Sequence, residues 1–184
     1  MADSTIRCGK ILTETDRLII REMVPSDLNA LCGILCDEEV MRAAYESAFS
    51  VEEAQAWMNR HFKRYADCGF GLWAVVLKET GEMIGQCGLT LQRWREEEIL
   101  EIGYLFQKAH WHKGYAAEAA IACKEYAFTV LHADRVYSTI RNTHTASQKV
   151  AVRNGMKCID KAIRNFRNTD MEFYLYCAER TTEA

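Results

Sequence analysis

The sequence lacks several features that would place it in common classes of protein. Its 23 lysines and arginines are outnumbered by 26 aspartates and glutamates, and the formal net charge of −3 leaves no basic surface for direct nucleic-acid binding. No apolar run reaches the roughly 20 residues that a membrane-spanning helix requires, so we expect no contact with a membrane. Proline occurs only once, and no repeat, low-complexity segment or linker divides the 184 residues. We therefore predict a single domain over residues 1–184, of which residues 1–13 form a loose N-terminal arm.

Cysteine is present in eight copies, but the spacings that build disulfide or zinc frameworks are missing. No C-x-x-C motif occurs, and Cys32 and Cys36, four residues apart on a predicted helix, supply only two of the ligands that a zinc site needs. No signal peptide is recognisable, so we expect a cytoplasmic protein whose thiols are reduced. We predict that the chain binds no metal.

The most informative stretch of the chain runs from residue 99 to residue 131. Its first part, Ile99–Phe106, is an apolar run with β-branched and aromatic residues, which predicts a buried strand. A short loop follows, and a helix is predicted from about Gly114 to Leu131. The first N–H groups of a helix have no internal partner and lie at the positive end of its dipole. The strand, loop and helix start therefore predict an anion-binding site, which Gly114, Ala116 and Ala117 leave open to a ligand.

Hydrophobic periodicity outlines the other elements of the chain. It predicts strands at 18–24, 72–77, 84–90, 135–140, 156–164 and 171–177, and helices at 26–36, from 51 onward and at about 142–154. Ser50 and Glu53 have the spacing of a capping box, and residues 93–98 are predicted to form a charged, solvated turn. This order of elements predicts an α/β (α+β) fold, with a mixed, mostly antiparallel central sheet of about seven strands and flanking helices.

Five sequence blocks, in order, are similar to those of one known family. They read T-E-T-D-R-L-I-I-R-E at 13–22, P-S-D-L at 25–28, K-E-T-G-E-M-I-G-Q-C-G-L at 78–89, E-I-G-Y with H-W-H-K-G-Y-A-A-E-A at 101–119, and A-S-Q-K-V-A-V-R-N-G-M at 146–156. The chain thus resembles the GNAT superfamily of N-acetyltransferases. It is most similar to the RimJ/RimL-like branch, which includes enzymes that acetylate the N-termini of ribosomal proteins. The GNAT fold agrees with the predicted element order.

The resemblance implies acetyl-CoA as co-substrate and names residues that would bind it. The backbone N–H groups of one loop and helix start would bind the pyrophosphate: His112, Lys113, Gly114, Tyr115, Ala116 and Ala117. The backbone of Leu105 and Phe106, together with His144 and Ser147, would contact the pantetheine arm. The sequence departs from the family at three places. Trp111 replaces a usual Gln or Arg, His112 replaces a frequent Gly, and His144 replaces a usual Asn.

Two side chains are candidates for the chemistry of acetyl transfer. Glu101 is the one carboxylate in the run Ile99–Phe106, and a carboxylate in an apolar strand needs a partner or has a raised pKa, as a general base requires. Its alternative role is a structural salt bridge with Arg21 or Arg141. Ser147 matches the family position near the sulfur and could protonate the leaving thiolate. A tyrosine that many relatives use one turn later is replaced by Ala151, and the alternative for Ser147 is an ordinary serine in the first turn of a helix.

The acceptor and the assembly are less defined by the sequence. The resemblance places the loop between the first two helices at the acceptor site, which makes Tyr45 and Phe49 candidates for substrate contact. We expect an enzyme that transfers acetyl to a primary amine, either a protein N-terminus or a small molecule. The alternative is a catalytically degenerate module that binds acyl-CoA as a sensor. An unrelated nucleotide-binding protein is disfavoured because no P-loop or Rossmann motif occurs. A homodimer is left open.

Overall fold

The computed structural model describes residues 9–44, 47–166 and 169–181, and its centre is one eight-stranded sheet. The strands are β1 Ile11–Glu14, β2 Leu18–Arg21, β3 Leu72–Leu77, β4 Met83–Trp94, β5 Glu97–Phe106, β6 Arg135–Arg141, β7 Lys157–Phe166 and β8 Thr169–Glu179. The helices are α1 Leu28–Leu35, α2 Glu38–Ala44, α3 Val51–Cys68, α4 Tyr115–Thr129 and α5 Thr145–Arg153. None of these helices combines the length and the apolar character that crossing a membrane requires.

The sheet is antiparallel except at one junction. Its strand order is β1-β2-β3-β4-β5-β6-β8-β7, and β5 and β6 are the only parallel neighbours among the described strands. The two strands are in register only at Glu101 and Tyr137. Just beyond that point side chains, rather than a continued ladder, connect them, and a cavity opens between their C-terminal halves. We call this opening between residues 103–106 and residues 139–141 the β5–β6 gap.

Hydrophobic cores lie on both faces of the sheet. The larger core packs α4 against buried side chains such as Trp73, Ile102 and Phe106. A second core packs α1 and α3, through residues such as Leu31 and Met58, on the opposite face. We call these the α4 face and the α3 face. Because successive side chains of a strand point to opposite faces, each strand of the gap presents residues to both of them.

The predicted capping box is confirmed, and two glycines end neighbouring segments. The Ser50 N–H donates to the Glu53 carboxylate over 2.7 Å, and the Glu53 N–H donates to the Ser50 hydroxyl over 3.2 Å, which completes a capping box at the start of α3. Gly81 has φ 70° in the turn between β3 and β4, and Gly155 has φ 77° just after α5. The α/β fold with its mostly antiparallel sheet and flanking helices is confirmed, with eight strands rather than about seven.

The structure corrects two predictions near the N-terminus. The arm was expected to be loose through residue 13, but residues 11–14 form β1 because their backbone pairs with β2. This edge strand, β1, is the one that was missing from the seven predicted strands. Its four residues are too few to show a clear periodicity. The region between the first two predicted helices, expected to be a loop, contains the short helix α2, Glu38–Ala44.

The predicted charged turn at 93–98 is also wrong in its extent. The β4–β5 pairing continues to Trp94 opposite Glu97, so only Arg95 and Glu96 form the turn, and Arg95 takes the left-handed φ of 53°. Trp94 is buried, and its indole N–H donates to Asp160 over 2.8 Å. The charges around this tryptophan obscured a continuous hairpin whose outer part packs against β7.

Candidate active site

The loop before α4 has the backbone shape of an anion cradle. His112 has φ 61° and Gly114, the residue that caps α4, has φ 84°, so two left-handed residues turn the chain into the helix. No side chain caps this end, and the first bond of the helix runs from the Glu118 N–H to the Gly114 carbonyl over 3.1 Å. The N–H groups of Tyr115, Ala116 and Ala117 therefore lack helical acceptors and are available to an anion.

The turn between β1 and β2 holds this loop in place. The Arg17 side chain donates to Glu118 through Nε over 2.7 Å and to the Lys113 carbonyl through Nη1 over 3.1 Å. Its guanidinium also lies 4.4 Å from the centre of the Tyr115 ring. The Thr15 hydroxyl donates to Glu118 over 2.6 Å. Sequence reasoning missed this contact because its two ends lie far apart in the chain, although Thr15 and Arg17 lie in a block that carried the family resemblance.

The contacts of the Trp111 side chain account for the tryptophan at a position where the family usually has Gln or Arg. Its ring packs against residues of both cores, and its indole N–H donates to the Phe106 carbonyl over 2.9 Å. The side chain thus ties the loop to the end of β5, while the backbone of the loop keeps its shape.

The β5–β6 gap exposes backbone groups of alternate residues on β5. The Ile102 carbonyl points to β6, because it accepts from the Ser138 hydroxyl over 2.9 Å. By alternation Tyr104 and Phe106 point the same way, whereas Leu105 faces β4 opposite Gln86. The proposed backbone contact to a pantetheine arm therefore moves from Leu105 to Tyr104, with the N–H of Phe106 beside it.

A cavity of about 590 Å³ lies along the gap. Four of the candidate residues line it: Glu101, Leu105, His144 and Ser147. Phe49 does not line it but packs its ring edge-on against Trp57, a lining residue, with 5.8 Å between ring centres. Tyr45 lies outside the described residues. The cavity thus connects the middle of β5 with the start of α5 and with the side chains of α3.

Glu101 is held inside this cavity. Its carboxylate accepts a hydrogen bond from the Thr139 N–H over 2.9 Å, across the gap. Burial raises the pKa of Glu101, and the hydrogen bonding of Thr139 and the charge of Arg164 only partly oppose this increase. Arg21, one of the two arginines considered as an alternative ion-pair partner of Glu101, binds both oxygens of Asp27 at 2.7 and 2.8 Å. Arg141 lines the cavity together with Glu101.

The start of α5 brings His144 and Ser147 to the same cavity, where they meet Tyr104 of β5. The Tyr104 hydroxyl donates to the Ser147 carbonyl over 3.1 Å, and burial raises the pKa of this phenol. Burial, and then the charge of Arg141, lower the pKa of His144, which favours the neutral imidazole. Ala151 is buried in the α4 core. Tyr104 therefore supplies, from β5, a phenol that the sequence of α5 does not contain.

The cavity is lined by four arginines, of which sequence reasoning named only Arg141, as an alternative partner of Glu101. Arg60 and Arg64 lie one turn apart on α3, Arg141 ends β6 and Arg164 lies on β7. Arg60, Arg64 and Arg164 were not selected, because only the tertiary fold brings α3 and β7 to the cavity.

The family of the chain follows from comparison with known proteins. The profile of the Acetyltransferase (GNAT) domain matches residues 17–157, most of the chain. The chain belongs to the GNAT acetyltransferase family. It is 31% identical over 154 residues to YnaD of Bacillus subtilis (strain 168), described as an uncharacterized N-acetyltransferase, and the match covers 80% of this chain and 87% of YnaD. The GNAT acetyltransferase of Bacillus anthracis superposes with a TM-score of 0.78 at 25% identity, covering 90% of this chain and 96% of that one.

A further solved structure shares the fold of this chain. RimL, the ribosomal L7/L12 alpha-N-protein acetyltransferase, has been solved in complex with coenzyme A. It shares the fold with a TM-score of 0.76 at 16% identity, over 92% of this chain and 98% of RimL. The fold agrees with the RimJ/RimL-like resemblance, and the assignment of this chain as a GNAT acetyltransferase is confirmed.

The GNAT fold uses acetyl-CoA, and the residues described above fit it. The unpaired N–H groups at the start of α4 suit a pyrophosphate. The backbone of Tyr104 and Phe106 faces the β5–β6 gap, and the cavity that lies along this gap could hold the pantetheine arm. Among the described helix starts, that of α4 combines two left-handed residues with small side chains at Ala116 and Ala117.

Proposed function

We propose that this enzyme transfers acetyl from acetyl-CoA directly to the primary amine of a small molecule or a protein N-terminus. The observation that carries the proposal is the cavity in the β5–β6 gap, which is lined by Glu101, by residues at the start of α5 and by four arginines. Acetyl-CoA, when bound, supplies a thioester-activated acetyl group. The N–H groups of residues 112–117 bind its phosphates, and the backbone of Tyr104 and Phe106 orients the arm in the gap.

Glu101 acts as the general base in this proposal. An alkylamine with a pKa of roughly 10.4 is almost entirely protonated at neutral pH and must lose a proton before it can attack. The raised pKa of Glu101 brings the carboxylate closer to the range in which it accepts a proton efficiently. Its hydrogen bond to the Thr139 N–H fixes its position without neutralising it.

Two hydroxyl groups are candidates to protonate the leaving thiolate. Ser147 is the family-derived candidate, and the Tyr104 phenol lies against it. The raised pKa of Tyr104 keeps the phenol protonated, as a proton donor requires. Both groups lie at the end of the gap toward the start of α5.

The proposal is tested by release of free thiol from acetyl-CoA in the presence of amine panels. N-terminal peptides, amino acids, polyamines and aminoglycosides form the panel, and the products are identified by mass spectrometry. Acetylated amine together with thiol release supports the proposal. Tight binding of acetyl-CoA without turnover of any amine would contradict it and favour the acyl-CoA sensor.

The Glu101→Gln variant tests the assigned base. We expect kcat/KM at neutral pH to fall by about 100-fold, the usual scale for loss of a general base, and to recover partly toward pH 10 as more amine becomes neutral. Because burial raises the folded pKa of Glu101, its contribution to stability is present below the ordinary carboxyl pKa and is lost as pH rises through the folded value. The amide oxygen that the substitution introduces can still accept from the Thr139 N–H, so thermal stability at neutral pH should stay equal or rise.

Glu98→Gln is the matched control, because Glu98 is an exposed carboxylate on the same strand. This variant should keep the wild-type rate and pH profile. A Glu101→Gln enzyme with a wild-type profile would remove Glu101 from the mechanism. Loss of folding together with activity would assign it to the structure of the gap.

A further inference from the structure

The charges around the cavity are strongly unequal. Arg60, Arg64, Arg141 and Arg164 line it, and Glu101 is the one carboxylate among the described lining residues. This local excess contrasts with the formal net charge of −3 for the whole chain. A concentration of arginine in an acidic protein calls for an anion at this place.

The arginines lie on the α3 face of the sheet, opposite the loop before α4 that is proposed to bind the pyrophosphate. Leu105 packs in the core of the α3 face, and Glu101 shares its parity on β5. On β6, Val136 and Ile140 pack in the α4 core, so Arg141, the next residue, points to the α3 face. The start of α4 belongs to the other face. The anion that these arginines meet is therefore separate from the pyrophosphate.

Most arginines elsewhere in the described chain are paired with carboxylates. Six of them form ion pairs with Asp or Glu: Arg17, Arg21, Arg93, Arg95, Arg135 and Arg180. Within the described residues, Arg60 and Arg64 have no such ion pair, and burial, followed by the charges of Arg64 and Arg60, lowers the pKa of the neighbouring His61 to about 3. Both guanidinium groups therefore lie at the cavity without a carboxylate partner among the described residues.

Aromatic rings hold two of these arginines in position. The Arg60 guanidinium lies 5.2 Å from the centre of the Trp57 ring, and that ring is fixed by a 3.0 Å hydrogen bond from its N–H to Gln86. Arg164 lies 4.3 Å from the centre of the Trp94 ring and donates to the Arg93 carbonyl over 2.7 Å. A stacked guanidinium keeps free N–H groups at its edge, where a carboxylate or another oxyanion can accept two of them.

We propose that the amine acceptor carries an oxyanion close to its amino group, and that Arg60, Arg64 and Arg164 bind this oxyanion while Glu101 faces the amine. The proposal rests on the proposed function and deepens it by naming the substrate class. A zwitterion of the amino-acid type satisfies both charges of the cavity: its carboxylate meets the arginines, and its ammonium group meets the carboxylate of Glu101. Polyamines and aminoglycosides bring only positive charge to the arginines and are disfavoured acceptors.

The test compares each acceptor with an analogue that lacks the negative charge. α-Amino acids are paired with their amides, and peptides with aspartate in second position are paired with peptides that have asparagine there. Because an amide lowers the pKa of the neighbouring amine, the pH-independent kcat/KM values are compared. We expect at least a tenfold preference for the anionic member of a pair. Preference among free amino acids or among acidic peptides identifies the source of the oxyanion, and equal values within every pair would overturn the proposal.

Arg64→Gln connects this preference to the arginines. The variant should reduce kcat/KM for the anionic acceptor at least tenfold and change that for its neutral analogue less than threefold. Lys63→Gln is the control, because Lys63 is the preceding residue on α3 and pairs with Asp67 at the surface. An equal loss with both members of a pair would assign Arg64 to stability or to the donor and overturn the proposal.

A binding measurement separates this proposal from the proposed function. Each amine is titrated by calorimetry into the protein saturated with coenzyme A, which requires no turnover. Binding of the anionic amine that Arg64→Gln weakens tenfold, with no acetylation of any acceptor, would support the oxyanion subsite and contradict the transferase. Acetylation without discrimination between charged and neutral acceptors would do the reverse.

Discussion

His112 and Gly114 both have a left-handed backbone in the loop before α4, although only Gly114 lacks a Cβ. Glycine adopts positive φ without strain, whereas for a residue with a Cβ this conformation costs on the order of 1–3 kcal/mol. Histidine is among the residues that tolerate this region better than most. The backbone explains why the family often has glycine at the position of His112, and the imidazole itself is exposed.

A pair of substitutions at His112 separates the backbone from the side chain. His112→Gly should keep the affinity for coenzyme A within threefold and leave the Tm unchanged or higher, because the N–H groups of the loop stay in place. His112→Val places a β-branched residue at positive φ, so we expect at least about 1 kcal/mol of lost stability and a tenfold weaker affinity. Calorimetry and thermal unfolding measure both. A large loss of affinity in His112→Gly would show that the imidazole binds the ligand.

Sequence reasoning located individual residues where the signal was local. The apolar run Ile99–Phe106 placed Glu101 on a strand, and the helix start placed Gly114 just before α4, because both follow from a few adjacent residues. The direction of the Leu105 backbone groups could not be predicted, because it depends on the pairing of β5 with β4. That pairing begins at the Arg95–Glu96 turn, which the surrounding charged residues made hard to recognise. Arg164 could not be selected, since only the tertiary fold brings β7 beside Glu101.

At the scale of elements, α4 depends on the turn between β1 and β2. Glu118 in its first turn accepts from the Thr15 hydroxyl, the Arg17 N–H and the Arg17 guanidinium. Most helices and strands and the capping box were predicted, because hydrophobic periodicity and capping depend on residues that are close together in the sequence. This contact and the short β1 were not predicted, since they depend on which distant segments meet.

The Glu118→Gln variant tests this contact through its pH dependence. Burial acts to raise the pKa of Glu118, but hydrogen bonds from Thr15 and Arg17 outweigh it and hold the pKa below its usual value. A depressed folded pKa stabilises the protein above the unfolded value of roughly 4.3, and this contribution is lost as pH falls through the folded pKa. Denaturant unfolding should show Glu118→Gln less stable by about 1 kcal/mol at pH 7, a difference that shrinks toward pH 3.

Glu125→Gln is the control for this experiment. Glu125 lies on the same helix, is exposed, and forms an ion pair with the adjacent Lys124 at 3.6 Å. Its substitution should leave stability at pH 7 within about 0.5 kcal/mol. A Glu118→Gln protein as stable as the wild type at every pH would show that the contact with Arg17 contributes nothing net.

The whole molecule is a sheet that opens between two strands, with a core on each face. A ligand that extends from the α4 start into the gap contacts elements of both cores. It binds the folded chain but not the unfolded one, so it stabilises the fold by mass action. At a concentration of about 100 times Kd this amounts to roughly 2.7 kcal/mol, or a rise in Tm of roughly 5–11 °C for a chain of this size.

Gly114→Val should weaken this coupling between ligand and fold. The left-handed φ of 84° and the approach of the ligand both exclude a branched side chain, whereas a Cβ would meet only the flexible end of Arg17, 3.5 Å away. We expect affinity for coenzyme A to fall at least tenfold, about 1.4 kcal/mol, which halves the stabilisation at the same ligand concentration.

Gly81→Val is the matched control for Gly114→Val. Gly81 has φ 70°, a Cβ added to it would meet open space, and it lies in the remote β3–β4 turn. Both variants should lower the Tm of the free protein through backbone strain, but only Gly114→Val should lose about half or more of the ligand-induced rise. If both variants kept the full rise, coenzyme A would not bind at the start of α4.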